Sequence, residues 1–337
     1  MKHLLISSIS ALMLTACVSN DLSTTQIDSA VQKKLSESSI TPEQALNNAR
    51  TAMAQAGIDE LNFYTPLHYQ DAQQHLEDVE ALQKKQNVAD KNTEILKLAL
   101  KTETLIANAY QVKTTILSTL AESLSHKEVL LELGSKTEFP RDYQNLIEDL
   151  EDLFKLIENN KVEQARKEQV ALLADMVEVE VDTLIKQQVF PAEVILDKAE
   201  DNNADDYAEQ TYEKAELAIE RAKKFIASNY RQRDEVSAIA NEAVIAAKRA
   251  LNIGAEAKLM VEMNEEAAEQ KALEQEALIA MIIKGMQLEG LAGFTLREQV
   301  QKITEHGQFT KTKVTQLTER LSQLEQAQAV STETLSN

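Results

Sequence analysis

Apolar positions recur along this chain at steps of three and four, the spacing that lines one face of an α-helix. Ile95, Leu98, Thr102, Leu105, Ala109, Val112 and Ile116 form one such line, and they predict a long helix that continues, with a kink, to Gly134. Helix starts are as legible as the faces. In Thr41-Pro42-Glu43-Gln44 the threonine can cap the first amides, proline suits the first helical position and glutamine completes a capping box. That helix is expected to stop near Gly57. Tyr64-Thr65-Pro66 predicts a second start, with Thr65 as the cap and with Tyr64 and Tyr69 placed to form a hydrophobic staple. The polar break Gln86-Asn87 should end it. Residues 18–40 are polar and rich in Ser and Thr, which predicts a flexible tether with a short helix near Ile27–Leu35.

The pattern then repeats. A shift of 74 residues superimposes Tyr69-Gln70 on Tyr143-Gln144 and Leu76-Glu77-Asp78 on Leu150-Glu151-Asp152. A shift of 143 lays Tyr64, Tyr69, Ala72 and Glu77 on Tyr207, Tyr212, Ala215 and Glu220. In this third copy Ala208 stands where Thr65 stood and no proline follows, so its helix is expected to start earlier, at Asp205 or Asp206. A partner helix should run from Asp234 to Leu251 and end at Asn252-Ile253-Gly254. Repeats of this size bury their apolar stripes on one another. Ala255–Glu289 reads as one long helix, acidic first and apolar at Ala277–Ile283, with a break at Gly290-Leu291-Ala292-Gly293. Beyond it Leu296, Val300, Ile303, Gly307, Thr310, Val314, Leu317, Leu321 and Leu324 follow the heptad spacing of a coiled coil. Gly307 and Thr310 weaken its centre, predicting a kink or two half-length seams. The expected fold is all-α: an array of antiparallel helical hairpins over 41–254, followed by long helices with coiled-coil character over 255–337. The seam over 296–324 either joins copies of the chain as a homo-oligomer or folds back on 255–289.

Composition agrees with long helices. Seven glycines, four prolines and no tryptophan in 337 residues leave too few turn-formers for an all-β or α/β chain. The net charge of −20 argues against nucleic acid, whose phosphates demand concentrated Lys and Arg. A basic face for anionic lipid is likewise not evident.

Cys17 is the only cysteine. It closes Leu14-Thr15-Ala16-Cys17 after Lys2 and a short apolar run from Leu4 to Leu14. That run is too short to span a bilayer, which takes about 20 apolar residues; its parts match a secretory signal peptide. The tetrapeptide resembles the lipobox of bacterial lipoproteins. The resemblance implies removal of residues 1–16, a diacylglyceryl thioether on the Cys17 sulfur and acylation of the new amino end. It further implies an outer-membrane destination, because Val18 rather than aspartate follows the cysteine. Two or more acyl chains anchor durably where one does not. The thiol would then be spent, which excludes disulfides and thiol chemistry.

The alanine-spaced segments Ala45–Ala56, Tyr64–Ala72 and Tyr207–Leu251 resemble the helical envelope domains called domain of unknown function 4398. Relatives of that kind often carry a C-terminal OmpA-like domain, which binds peptidoglycan; the strands, glycines and Asp/Arg pair it needs are not seen here.

Candidate chemistry is sparse. Acidic groups such as Asp201, Asp205, Asp206 and Glu265-Glu266 read as solvated helix faces, since carboxylates need a pocket before they catalyse. His68 and His75 are seven residues apart, too far along a helix for the usual metal spacing of three or four. His126 and His306 stand alone. Met260, Met263, Met281 and Met286 could hold copper(I) but fit core filling better. Tyrosines at helix starts could stack on carbohydrate but fit structural staples better. Ala277–Ile283 is expected to pack on neighbouring helices rather than to dock a membrane or partner. No phosphate loop, nucleophile elbow or catalytic grouping is visible, so no catalytic residue, metal or cofactor is assigned; the one assigned site is lipidation at Cys17. The function expected is a non-enzymatic scaffold or adaptor for envelope proteins, held at the periplasmic side of the outer membrane by lipid, with a peptidoglycan-binding structural lipoprotein as the alternative.

Overall fold

The computed structural model describes residues 24–37, 39–86 and 88–335. Among them fifteen helices form and no strand, as the composition requires. The chain divides into two compact units, one reaching to Ile195 and including Lys214–Lys248, the other made of Leu196–Glu213 and Arg249–Asn337.

The first unit opens with α1 (Thr24–Glu37), α2 (Pro42–Ile58), the single turn α3 (Leu61–Tyr64), α4 (Pro66–Lys84) and α5 (Lys91–Thr119). The capping box forms as expected: Gln44 N donates to Thr41 Oγ1 at 3.3 Å, and Thr41 N donates to Gln44 Oε1 at 3.0 Å. Helices α1, α2 and α4 all pack on α5. The short helix expected near Ile27 is α1, and it is docked rather than free. Ile27 and Val31 are buried with Met53, Leu61, Ala72, Leu105 and Ala109. Burying a valine or isoleucine contributes about 1.5–3 kcal/mol, enough to hold so short a helix.

The expected kink falls at Leu120, where α5 gives way to α6 (Ala121–Leu133). Gly134 ends α6 at φ +82°, a left-handed cap that glycine adopts without strain. Then come the single turn α7 (Ser135–Glu138), α8 (Pro140–Glu158) and α9 (Val162–Gln188). Leu146, Leu150, Leu153, Phe154 and Ile157 form the buried stripe of α8, closing on Val112, Ile116, Leu172 and Met176.

The remaining helices are α10 (Phe190–Asp201), the single turn α11 (Ala204–Tyr207), α12 (Glu209–Asn229), α13 (Arg233–Glu262), α14 (Glu265–Gly285) and α15 (Leu296–Leu335). The sequence shifts reappear as backbone geometry. The single turns begin at Leu61, Ser135 and Ala204, each buried and each preceded by a left-handed residue: Glu60 (φ 56°), Gly134 (φ 82°) and Asn203 (φ 63°). Each ends on a residue with φ between −133° and −142°, namely Thr65, Phe139 and Ala208. The amides of those three residues donate back to Leu61 O, Ser135 O and Ala208's partner Ala204 O at 2.8 Å. The main helix then starts at the next residue in every copy.

Four expectations change. The third-copy helix starts at Glu209, in register with the others, because Asp205 and Asp206 belong to the separate turn α11. Helix α13 passes through Gly254 without stopping. There the glycine serves a close approach: a Cβ at 254 would lie 2.3 Å from Ala204 Cβ. The helix expected over 255–289 is broken at Met263-Asn264, where Asn264 Oδ1 accepts from Ala267 N at 2.9 Å and caps α14. Helix α15 runs unbroken through Gly307 and Thr310, so neither residue kinks it.

Candidate functional site

Two buried histidine–carboxylate pairs form the most chemically charged places in the first unit. Helix α4 begins with proline, which has no amide hydrogen, leaving Leu67 and His68 as the amides without a helical acceptor. Both donate to Glu158 at the far end of α8, Leu67 N to Oε2 at 3.2 Å and His68 N to Oε1 at 2.9 Å. The His68 ring closes the cluster, with Nδ1 2.8 Å from Oε1. The side chains of His68 and Glu158 are 1% and 0% exposed. Thr65, expected to cap α4, instead turns its hydroxyl back to Leu61 O at 3.0 Å. Its φ of −134° and ψ of 61° differ from the extended backbone typical of a capping threonine. A carboxylate about ninety positions away therefore does the capping, and the positive end of α4 stabilises its charge.

The second pair joins α6 to α9. His126 Nε2 lies 2.7 Å from Glu180 Oε2, both groups being buried. Arg233, at the start of α13, takes the other oxygen of Glu180. Burial pushes this carboxyl up, but the His126 hydrogen bond and the Arg233 charge outweigh it and hold it below its ordinary value of 4.5. A groove of about 480 Å³ opens beside the pair, lined also by Glu122, Ser125, Val129 and Arg231. Ser125 and His126 are neighbours on one helix, so their side chains point about 100° apart. They do not form a nucleophile and base.

Other ionisable groups are strained by burial. His75 Nδ1 is buried without a hydrogen-bond partner among the described residues, and burial, then Lys101, holds the ring below its ordinary 6.5. Glu103 Oε1 is buried and unpartnered in the same sense; burial raises its carboxyl, with Lys34 and Asn48 acting against it. Tyr110 donates to Asp59 Oδ2 at 2.6 Å, and burial, then Asp59, pushes its hydroxyl up to about 12.

The structure separates most of the residues weighed from sequence. His68 and His75 have different surroundings, and no group of three His, Cys, Asp or Glu close enough to hold a metal occurs among the described residues. Asp201, Asp205, Asp206, Glu265 and Glu266 are exposed, as solvated faces should be. A groove of about 390 Å³ between α8 and α9 does gather Asp142, Asp149, Asp175, Glu178 and Asp182. Tyr64 packs with Phe63 and Phe154, and Tyr69 packs on the Leu61 cluster. Met260 and Met281 are exposed and fill no core. Leu278, Met281 and Ile282 of the Ala277–Ile283 run are likewise half exposed or more, while Ile279 and Ile283 are partly covered. Cys17 lies outside the described residues. No helix among the described residues is long and apolar enough to cross a membrane.

Sequence reasoning missed both histidine pairs. Glu158 and Glu180 sit in segments rich in carboxylates, where neither stands out. No local signal marks them, since Thr65 stands where a cap for Pro66 is expected and only its backbone geometry shows that two amides need another acceptor.

No known family matches this chain, no curated protein is similar to it, and no solved structure pairs with it.

Proposed function

We propose that this chain is a lipid-anchored, non-enzymatic scaffold or adaptor, held through acylated Cys17 at the periplasmic side of an outer membrane. Leu14-Thr15-Ala16-Cys17 carries the proposal. The rest of the molecule is consistent with it as an array of antiparallel helical hairpins that offers helix faces to envelope proteins, extended by helices of coiled-coil character. The carboxylates that are buried near histidine serve packing: Glu158 caps α4, and Glu180 ties α6, α9 and the start of α13 together. An acidic surface suits partners that are neutral or basic and repels acidic ones.

Replacing Cys17 by serine tests the anchor. The parent chain should sediment with outer membrane and resist high salt, while Cys17→Ser protein should be released. If Cys17→Ser protein stays with the membrane at high salt, the anchor is something else. The alternative, a structural lipoprotein that binds peptidoglycan, predicts retention of Cys17→Ser protein on purified sacculi, which the scaffold reading does not.

A further inference from the structure

Helix α15 carries an apolar seam whose second half nothing covers among the described residues. In the heptad frame Val314 and Leu321 fall at position a, Leu317 and Leu324 at position d. These four side chains are 56–61% exposed. The first half is more covered: Leu296, Ile303 and Gly307 are partly covered and Gln299 is buried, with Val300 alone among its large apolar seam residues exposed, at 47%, in keeping with the contact between α14 and α15. Helix α14 has 21 residues, or about 31 Å at 1.5 Å per residue. Folded back along α15 it reaches no farther than about Gln316, so most of the bare half lies beyond its end.

We infer that Val314–Leu324 pairs with the same segment of a second copy of the chain, as a parallel, in-register, two-stranded coiled coil. Three features choose this occupant. The apolar strip is narrow, confined to a and d, with Thr315, Glu319 and Ser322 on the outward positions; a strip of that width fits one partner helix rather than a bundle. Leucine at both d positions with β-branched valine at the first of the two a positions leans towards two strands, and Leu321 at the second a is neutral in this respect.

The flanking charges choose the direction. Lys313 and Arg320 occupy g, Thr318 and Glu325 occupy e. In a parallel pair each g faces the e five residues later on its partner, so Arg320 meets Glu325 twice and Lys313 meets only Thr318. An antiparallel pair sets g against g and brings Lys313 and Arg320 of the two copies together. Like charges there repel. Gly307 and Thr310 then mark where the self-pairing half begins. The inference goes beyond the scaffold reading and stands whether or not Cys17 is acylated.

The test uses the full chain with Cys17→Ser, which removes both the anchor and the native thiol. Sedimentation equilibrium should show a mass that climbs with concentration from 37.6 kDa towards twice that value. Leu317→Glu combined with Leu321→Glu should hold it at the single-chain mass with unchanged helical circular dichroism. Arg320→Glu and Glu325→Arg should each raise the dissociation constant about tenfold at low salt, and the two together should restore it. Leu324→Cys should cross-link to itself under oxidation, and Ser322→Cys should not. A single-chain mass at every concentration overturns the inference, as would a dimer indifferent to Leu317→Glu with Leu321→Glu. A dimer in which Leu324→Cys fails to cross-link overturns the parallel register.

Discussion

Glu158→Gln isolates the long-range cap. The substitution keeps the shape of the side chain and one oxygen, and removes the charge that two α4 amides and the His68 ring share at 2.8–3.2 Å. A hydrogen bond to a charged group contributes about 1.5–3 kcal/mol, a helix N-terminus adds up to about 2 kcal/mol in a buried setting, and removing one partner of a buried pair costs about 3–5 kcal/mol. These overlap rather than add. The expected loss is about 3 kcal/mol, concentrated where α4, α8 and α5 meet. Hydrogen exchange read by mass spectrometry suits a chain of two units, because it reports opening locally. Amides in Pro66–Lys84 should exchange about 100-fold faster, since each 1.4 kcal/mol is tenfold. Asp152→Asn removes an exposed carboxylate from the same helix and should leave exchange unchanged. His68→Leu spares the two amide bonds and should cost less than Glu158→Gln. Protection of 66–84 in Glu158→Gln equal to the parent's would refute the capping argument.

Three further outcomes follow from packing and titration. Gly254→Leu places a side chain where even a Cβ would meet Ala204 Cβ at 2.3 Å and Ala204 Cα at 2.8 Å; it should destabilise by about 1–3 kcal/mol and speed exchange in 204–207, and Ala204→Gly should not restore it, because the backbone contact remains. Glu103 has its carboxyl raised above 4.5 by burial, so its ionised form opposes folding at neutral pH; Glu103→Gln should raise the unfolding midpoint at pH 7 and lose that advantage below about pH 4.5. Glu180 is held below 4.5, so its charge stabilises the fold above that value and the benefit fades as pH falls through the lowered folded value. Arg233→Met removes one of the groups that lower it and should move the acid limb of unfolding to higher pH.

The sequence disclosed what depends on local chemistry. The Thr41 capping box and the glycine cap at Gly134 appear because each is settled within a few residues, whereas the kink before Gly134 was legible without its place at Leu120. The repeat was legible too: shifts of 74 and 143 place Leu61 on Ser135 and Ala204, and those residues open the three single turns. What stayed hidden depends on distant partners. Thr65 looked like a cap until Glu158 supplied one from another helix. Gly254 looked like a stop, because only the approach of Ala204 shows why a helix would keep a glycine. His126 looked solitary, with Glu180 and Arg233 each more than fifty positions away. Asn264 has the chemistry of a cap, but it sits beside an acidic run with no proline or glycine to mark a boundary. Met281, Leu278 and Ile282 read as packed because apolar residues usually are, yet no local pattern tells a buried side chain from a bare one.

The most direct test of the account is the intact mass of the mature protein extracted from cells, with sequencing of its first residue. The account predicts a chain that begins at Cys17 and carries a diacylglyceryl thioether and an amide-linked acyl group. A mature chain with a free Cys17 thiol and no acyl mass would contradict it.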